Sequence, residues 1–156
     1  MENCAYKSIY DSVRTAFTPE LKCDPALISP ITLAYIGDTV YDLFVRSYII
    51  TATDYTANKL HSLAVSMVCA KAQADAFSRI RHLLSEDELN IFKRGRNAHS
   101  NAPKSCSQSE YRTATGLETL FGYLFLKGED SRMACLMKTI FESIKTENAN
   151  GGNINA

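Results

Sequence analysis

Two carboxylates in this chain stand where a helix is expected to be apolar, and they are the residues best suited to chemistry. Asp38 sits in the middle of Leu33-Ala34-Tyr35-Ile36-Gly37-Asp38-Thr39-Val40-Tyr41, a segment apolar on nearly every side and therefore expected to be largely enclosed. A carboxylate in such a place is costly unless it is paired, hydrogen-bonded or bound to a cation. Gly37 lowers helix stability just before it, which suggests a close approach to the backbone there. Glu118 poses the same problem. It falls inside the stripe Ala114, Leu117, Phe121, Leu124 and Phe125 rather than opposite it, and glutamate is seldom buried without a partner. Together the two point to a hard divalent cation such as Mg²⁺, which prefers oxygen ligands and keeps several waters. Plainer readings stand beside this one. Asp42 lies one turn from Arg46, an ion pair that Asp38 could share, and Glu118 could pair with Arg112 or with a basic residue of the preceding loop. The ion pair is the expected arrangement for Asp42. For Asp38 it is less satisfactory, because a like charge four residues away repels it and a cation would relieve both groups.

A second constellation is basic. Lys93-Arg94-Gly95-Arg96-Asn97-Ala98-His99 is followed by Lys104 and Arg112, so residues 93 to 112 carry five Lys or Arg against the single acid Glu110. In a chain whose Lys plus Arg equals its Asp plus Glu at 17 each, attraction to a polyanion must come from such a local patch. No long-chain hydrophobe interrupts 95 to 109, so an exposed loop is expected, with Gly95 letting the backbone approach phosphate. Equally open is a solvated loop in which Lys93 and Arg94 merely favour a helix C-terminus. His61, His82 and His99 are not spaced as metal ligands, and nothing resembles a nucleophilic triad, a dinucleotide loop or a phosphate-binding P-loop.

These residues need a scaffold, and the rest of the sequence describes one. At 156 residues and 46% hydrophobic, the chain can bury a core without staples. Its five cysteines are odd in number and widely spaced, suggesting neither a zinc site nor a disulfide framework, and no signal peptide is visible at the N-terminus. A cytoplasmic protein is expected, in a bacterium or a plastid. The longest apolar stretch, 31 to 50, contains Asp38, Asp42 and Arg46, which excludes a membrane span.

Helical spacing runs throughout, with no period-2 strands. A first helix is expected over 5–17, closed by Thr18-Pro19. Ser29-Pro30 opens a second that reaches about Ile50. Asp54 can cap a long third helix with the stripe Leu60, Leu63, Met67, Ala70, Ala74, Phe77 and Leu84. Ser85-Glu86-Asp87-Glu88 is a capping box for a short fourth helix that Gly95 stops. Ser107-Gln108-Ser109-Glu110 opens a fifth, ending near Gly128. The last spans 130–145 and buries Met133, Leu136, Ile140, Phe141 and Ile144. The reading is thus a single all-α domain over 1–146, with 1–29 its least defined part and 147–156 a disordered tail.

Taken in order, Leu33-Ala34-Tyr35-Ile36-Gly37-Asp38, Ala70-Lys71-Ala72-Gln73-Ala74, Lys93-Arg94-Gly95-Arg96-Asn97-Ala98, Pro103-Lys104, Tyr111-Arg112 and Leu117-Glu118-Thr119-Leu120-Phe121-Gly122-Tyr123-Leu124 resemble the ribonuclease III catalytic domain, in its compact Mini-III branch. The resemblance covers roughly residues 30 to 128. It implies a homodimeric all-α bundle and a magnesium-dependent phosphodiesterase acting on double-stranded RNA, leaving 5′-phosphate and 3′-hydroxyl ends. In the Mini-III branch the associated role is trimming precursor 23S ribosomal RNA, with a ribosomal protein as an open accessory partner. Asp38 matches the family's invariant aspartate and Glu118 its metal-binding glutamate. Lys93, Arg94, Arg96, Asn97, Lys104 and Arg112 become the expected RNA contacts. Ordinary ribonuclease III has glutamates where this chain has Ile31 and Ala34, and an aspartate where it has Thr115. The Mini-III branch shares that reduced set. A non-cleaving RNA-binding or ribosome-associated module on the same fold is the competing reading, although such a module has no need of buried carboxylates. A plain helical interaction domain explains them least.

Overall fold

The computed structural model describes residues 9–17, 23–98 and 101–151. Among them the chain forms seven α-helices and no strand: α1 (Ile9–Phe17), α2 (Pro30–Ala52), α3 (Ala57–Val68), α4 (Ala70–Ile80), α5 (Glu86–Arg96), α6 (Gln108–Lys127) and α7 (Asp130–Gly151). Short 3₁₀ turns at Pro25–Leu27 and Arg81–Leu83 lead into α2 and out of α4.

Local chemistry sets these boundaries. Both expected capping boxes form. The Ser85 hydroxyl accepts from the Glu88 N–H at 3.2 Å while Glu88 accepts from the Ser85 N–H at 2.9 Å, and Ser107 and Glu110 do the same at 3.1 and 3.0 Å. Each box satisfies N–H groups that a helix start otherwise leaves orphaned. α6 ends where Gly128 turns left-handed at φ 84°, a conformation open to a residue without Cβ.

α6 is the central helix. From Ala114 to Phe125 it is buried on every side except at Glu118, and it packs most extensively on α2, then on α5 and α4. Its contact with α2 is backbone on backbone. A Cβ at Gly37 would lie 1.8 Å from the Glu118 carbonyl oxygen, and one at Gly122 would lie 1.9 Å from the Leu33 carbonyl oxygen. The approach expected at Gly37 is therefore that of α6, and Gly122 is its counterpart on the other helix. α5 meets α6 through a second glycine pair: a Cβ at Gly95 would sit 2.2 Å from Thr119 Oγ1, and one at Gly116 2.6 Å from the Phe92 ring.

Several expectations are corrected. The long third helix is two helices, because Cys69 is extended (φ −66°, ψ 157°) between α3 and α4. The break resets the buried phase: Ala64 and its half-buried neighbours Leu60, Leu63 and Met67 give way to Gln73, Ala76, Phe77 and Ile80. α3 is capped at Thr56, not Asp54. Gly95 does not stop α5, which continues to Arg96 with Asn97 as its C-cap, and the glycine is buried against α6 rather than offered to a phosphate. α7 runs past Lys145 to Gly151, through the first half of the stretch read as a tail, while 152–156 lie outside the described residues. So do 5–8 and Thr18-Pro19 at the two ends expected for the first helix. Finally, α2 is not fully enclosed among the described residues. Leu33, Ala34, Gly37, Val40, Tyr41, Val45 and Ile49 face the core, but Tyr35 is 82% exposed and Ile50 64%, with Ile31 and Leu43 also outward.

Candidate active site

The α2–α6 crossing brings the two carboxylates together. Gly37 lies against the carbonyl of Glu118, so Asp38, the next residue on α2, is held beside the Glu118 turn of α6. Both side chains line one recess of about 760 Å³, closed by Cys69, Ala70, Lys71 and Gln73 from the α3–α4 junction and by Pro103, Ser105 and Cys106 from the loop before α6. Ile31, Ala34 and Thr115 line it as well. The three positions at which ordinary ribonuclease III carries further carboxylates thus surround the same space as the two that this chain keeps.

Neither carboxylate has a basic partner among the described residues. Asp42 does, with Arg46 Nε 2.6 Å from its Oδ2, as its spacing suggested. Asp38 takes no part in that pair, and Glu118 forms no ion pair with Arg112 or with a described basic residue of the loop. Asp38 is exposed, yet partial loss of hydration and then the charge of Asp42 raise its pKa. Glu118 is more enclosed. Burial, reinforced by the charge of Asp38, pushes its carboxyl from 4.5 up to about 7, against a smaller opposing pull from Gln73. Two facing carboxylates whose charged forms are both disfavoured make an oxygen-donor pair that a cation would stabilise.

Gln73 adds to this. It is 1% exposed at the back of the recess, and neither its Nε2 nor its Oε1 has a partner at hydrogen-bonding geometry, although it lies near enough to Glu118 to draw that pKa down. An orphaned buried amide beside two unpaired carboxylates fits a site completed by a hydrated hard cation. Among the described residues no cluster of three or more His, Cys, Asp or Glu could hold a metal, so Asp38 and Glu118 would leave most of its coordination to water. Gln73 and Lys71 were not among the sequence-derived site residues. For Gln73 the available signal was a polar residue in the buried phase of α4, which becomes visible once the break at Cys69 is recognised.

The expected RNA contacts divide into groups. Lys93 and Arg96 share a second recess of about 590 Å³, between α4, α5 and the start of α6, with Arg81, Asp75 and Glu110. Lys104 is exposed in the turn between Pro103 and Ser105 at the rim of the first recess. Arg112 is exposed on α6, and Asn97 is exposed where it closes α5. Arg94 is different. Its guanidinium donates to the carbonyl oxygens of Ala26 and Ile28, the latter at 3.0 Å, tying α5 to the turn before α2. That gives its exposed side chain a structural task.

Comparison with known proteins gives the family. Residues 31–129 match the Ribonuclease III domain, a span that takes in α2, both carboxylates and all of α6. A Mini-ribonuclease 3 from Clostridium tetani is 44% identical over 84% of this chain and 88% of its own length. Another from Thermoanaerobacter sp. is 44% identical over 76% and 84%. A crystal structure of a Fusobacterium nucleatum protein superposes with a TM-score of 0.69 at 27% identity, over 75% of this chain and 94% of that one. The chain belongs to the ribonuclease III family, in its Mini-ribonuclease 3 branch.

Proposed function

We propose that this protein is an endoribonuclease that hydrolyses phosphodiester bonds of double-stranded RNA with Mg²⁺ held by Asp38 and Glu118. The observation that carries the reading is the pairing of these two carboxylates, without a basic partner among the described residues, on one recess at the α2–α6 crossing. When bound there, a divalent cation lowers the pKa of a coordinated water and offsets charge on the scissile phosphate. The carboxylates supply the anionic oxygens that hold it, and Gly37 and Gly122 fix their separation. Lys71 and Lys104 at the recess, with Lys93, Arg96 and Arg112 beyond it, supply the phosphate contacts, and Asn97 is placed to join them. Recognition follows A-form shape and backbone, because side chains do not reach into the narrow RNA major groove. Products carry 5′-phosphate and 3′-hydroxyl ends. By resemblance to the Mini-III branch, the substrate is precursor 23S ribosomal RNA in the bacterial cytoplasm, with a ribosomal protein as an open accessory partner. No helix among the described residues is long and apolar enough to cross a membrane.

The outward stripe of α2 (Ile31, Tyr35, Leu43 and Ile50) supports a homodimer built on that helix. A two-fold pair presents the same surface twice, which suits the two strands of a duplex. It would also bring solvent-exposed Asp38 nearer a covered environment.

The test is cleavage of labelled duplex RNA by Asp38→Asn and Glu118→Gln. Each keeps its shape, loses its charge, and is expected to lose most activity in Mg²⁺ while still binding duplex. Near wild-type cleavage by either variant would remove that residue from the site. Wild-type protein that binds but never cleaves, over a range of Mg²⁺ concentrations, would favour the non-cleaving module.

A further inference from the structure

Among the polar residues lining the active-site recess, Gln73 is the most deeply buried, at 1% exposure. A carboxamide carries two N–H donors and an acceptor oxygen. Leaving such a group buried and unsatisfied costs stability, whereas an apolar side chain of the same shape avoids the penalty. Nothing in the packing requires polarity here, since the neighbouring buried positions of α4 are Ala76, Phe77 and Ile80. The backbone also goes out of its way to place this residue. The extended Cys69 restarts the helix with its carbonyl accepting the Gln73 N–H at 3.0 Å, and the new phase turns residue 73 into the recess that Glu118 lines.

We infer that Gln73 is a positioning residue for Glu118: in the metal-loaded site its Nε2–H donates to the Glu118 carboxylate and fixes which oxygen faces the recess. The inference rests on the reading of Asp38 and Glu118 as metal ligands. Carboxylates that bind metals are commonly held by such an outer hydrogen bond, and losing the partner typically weakens metal affinity 10–100-fold. The incomplete geometry is consistent with this role, because hydrogen bonds of a catalytic site are often long before its ligands arrive and tighten when they do. No basic residue among those described pairs with Glu118, and the Gln73 amide, on the same recess, lies close enough to act on its carboxyl.

Gln73→Met tests the idea, since it keeps length and volume but removes the donor. Two measurements are made on the RNA-free 156-residue chain: calorimetric titration with Mn²⁺, and thermal melting in EDTA. The expected result is Mn²⁺ binding weakened about 10–100-fold, with an apoprotein that melts at or above the wild-type temperature because a buried orphan has been removed. Gln73→Leu should reproduce both. Unchanged Mn²⁺ affinity would overturn the inference while leaving the Asp38–Glu118 site intact. Variants that fail to fold, or melt well below wild type in EDTA, would show a purely structural glutamine and overturn it equally. Wild-type protein that binds no Mn²⁺ would overturn the metal reading itself, and this inference with it.

Discussion

Glu118→Gln should stabilise the metal-free protein even as it removes activity, and the size of the effect follows from the site. The folded carboxyl titrates near 7 instead of 4.5, chiefly because it is buried and secondarily because Asp38 faces it. The folded state therefore holds this proton more tightly than the unfolded chain does. Folding takes up a proton between those two values, and stability falls as pH rises through that window. Below about 4.5 both states are protonated and the penalty is absent, whereas above about 7 it is present in full. A displacement of that size corresponds to about 3 kcal/mol. The recess opens to water, so about 2 kcal/mol is the better expectation for the amide variant at about pH 8. Urea unfolding in EDTA across that pH range measures it. The variant should be the more stable protein at high pH, with the gap closing towards pH 4 to 5. Added Mg²⁺ should stabilise only the wild type, since a ligand that binds the native state shifts the equilibrium by mass action. A variant no more stable than wild type at high pH, or a gap independent of pH, would refute the claim that Glu118 is held against its own charge.

The two neighbouring arginines should separate cleanly. Arg96→Ala should weaken duplex RNA binding and reduce the salt slope by about one, whereas Arg94→Ala should leave the slope alone and lower stability by about 1–2 kcal/mol through the lost bonds to Ala26 and Ile28; equal effects on the slope would restore Arg94 as a phosphate contact. Ile50→Asp, on the outward stripe of α2 and away from the recess, should shift sedimentation from dimer to monomer, and a wild-type protein already monomeric at working concentration would defeat the dimer reading.

What the sequence made legible was what local chemistry decides. The capping boxes at Ser85 and Ser107, the stop at Gly128 and the misplaced carboxylates could each be read from a few adjacent residues. Three features were hidden for physical reasons. The break at Cys69 was masked because Ala70, Ala72 and Ala74 fit either buried phase, and the residue that reveals the true phase is the polar Gln73. Arg94 and Arg96 look alike in sequence, but two positions apart on a helix they point in different directions, and the carbonyls that engage Arg94 belong to a turn about 70 residues earlier. The apolar girth of α2 promised enclosure. Among the described residues only its inner face is covered, which leaves Asp38 more open than its neighbours suggested.

The glycines at the α2–α6 crossing connect stability to the site. Asp38 and Glu118 repel one another and resist burial, so in the absence of a cation their interaction works to part the helices that carry them. What opposes this is a backbone-on-backbone contact, where Gly37 meets the Glu118 carbonyl and Gly122 meets the Leu33 carbonyl. Any side chain at either position would have to displace backbone rather than a yielding side chain, and would move α6 away from α2. The Leu33, Val40, Leu117 and Phe121 packing that closes the core is gained only at this short separation. That apolar gain holds the carboxylates at a spacing they would not choose for themselves. If Asp38 and Glu118 hold a cation as proposed, its binding would relieve that repulsion, and a crossing that cannot open would keep the two ligands in place.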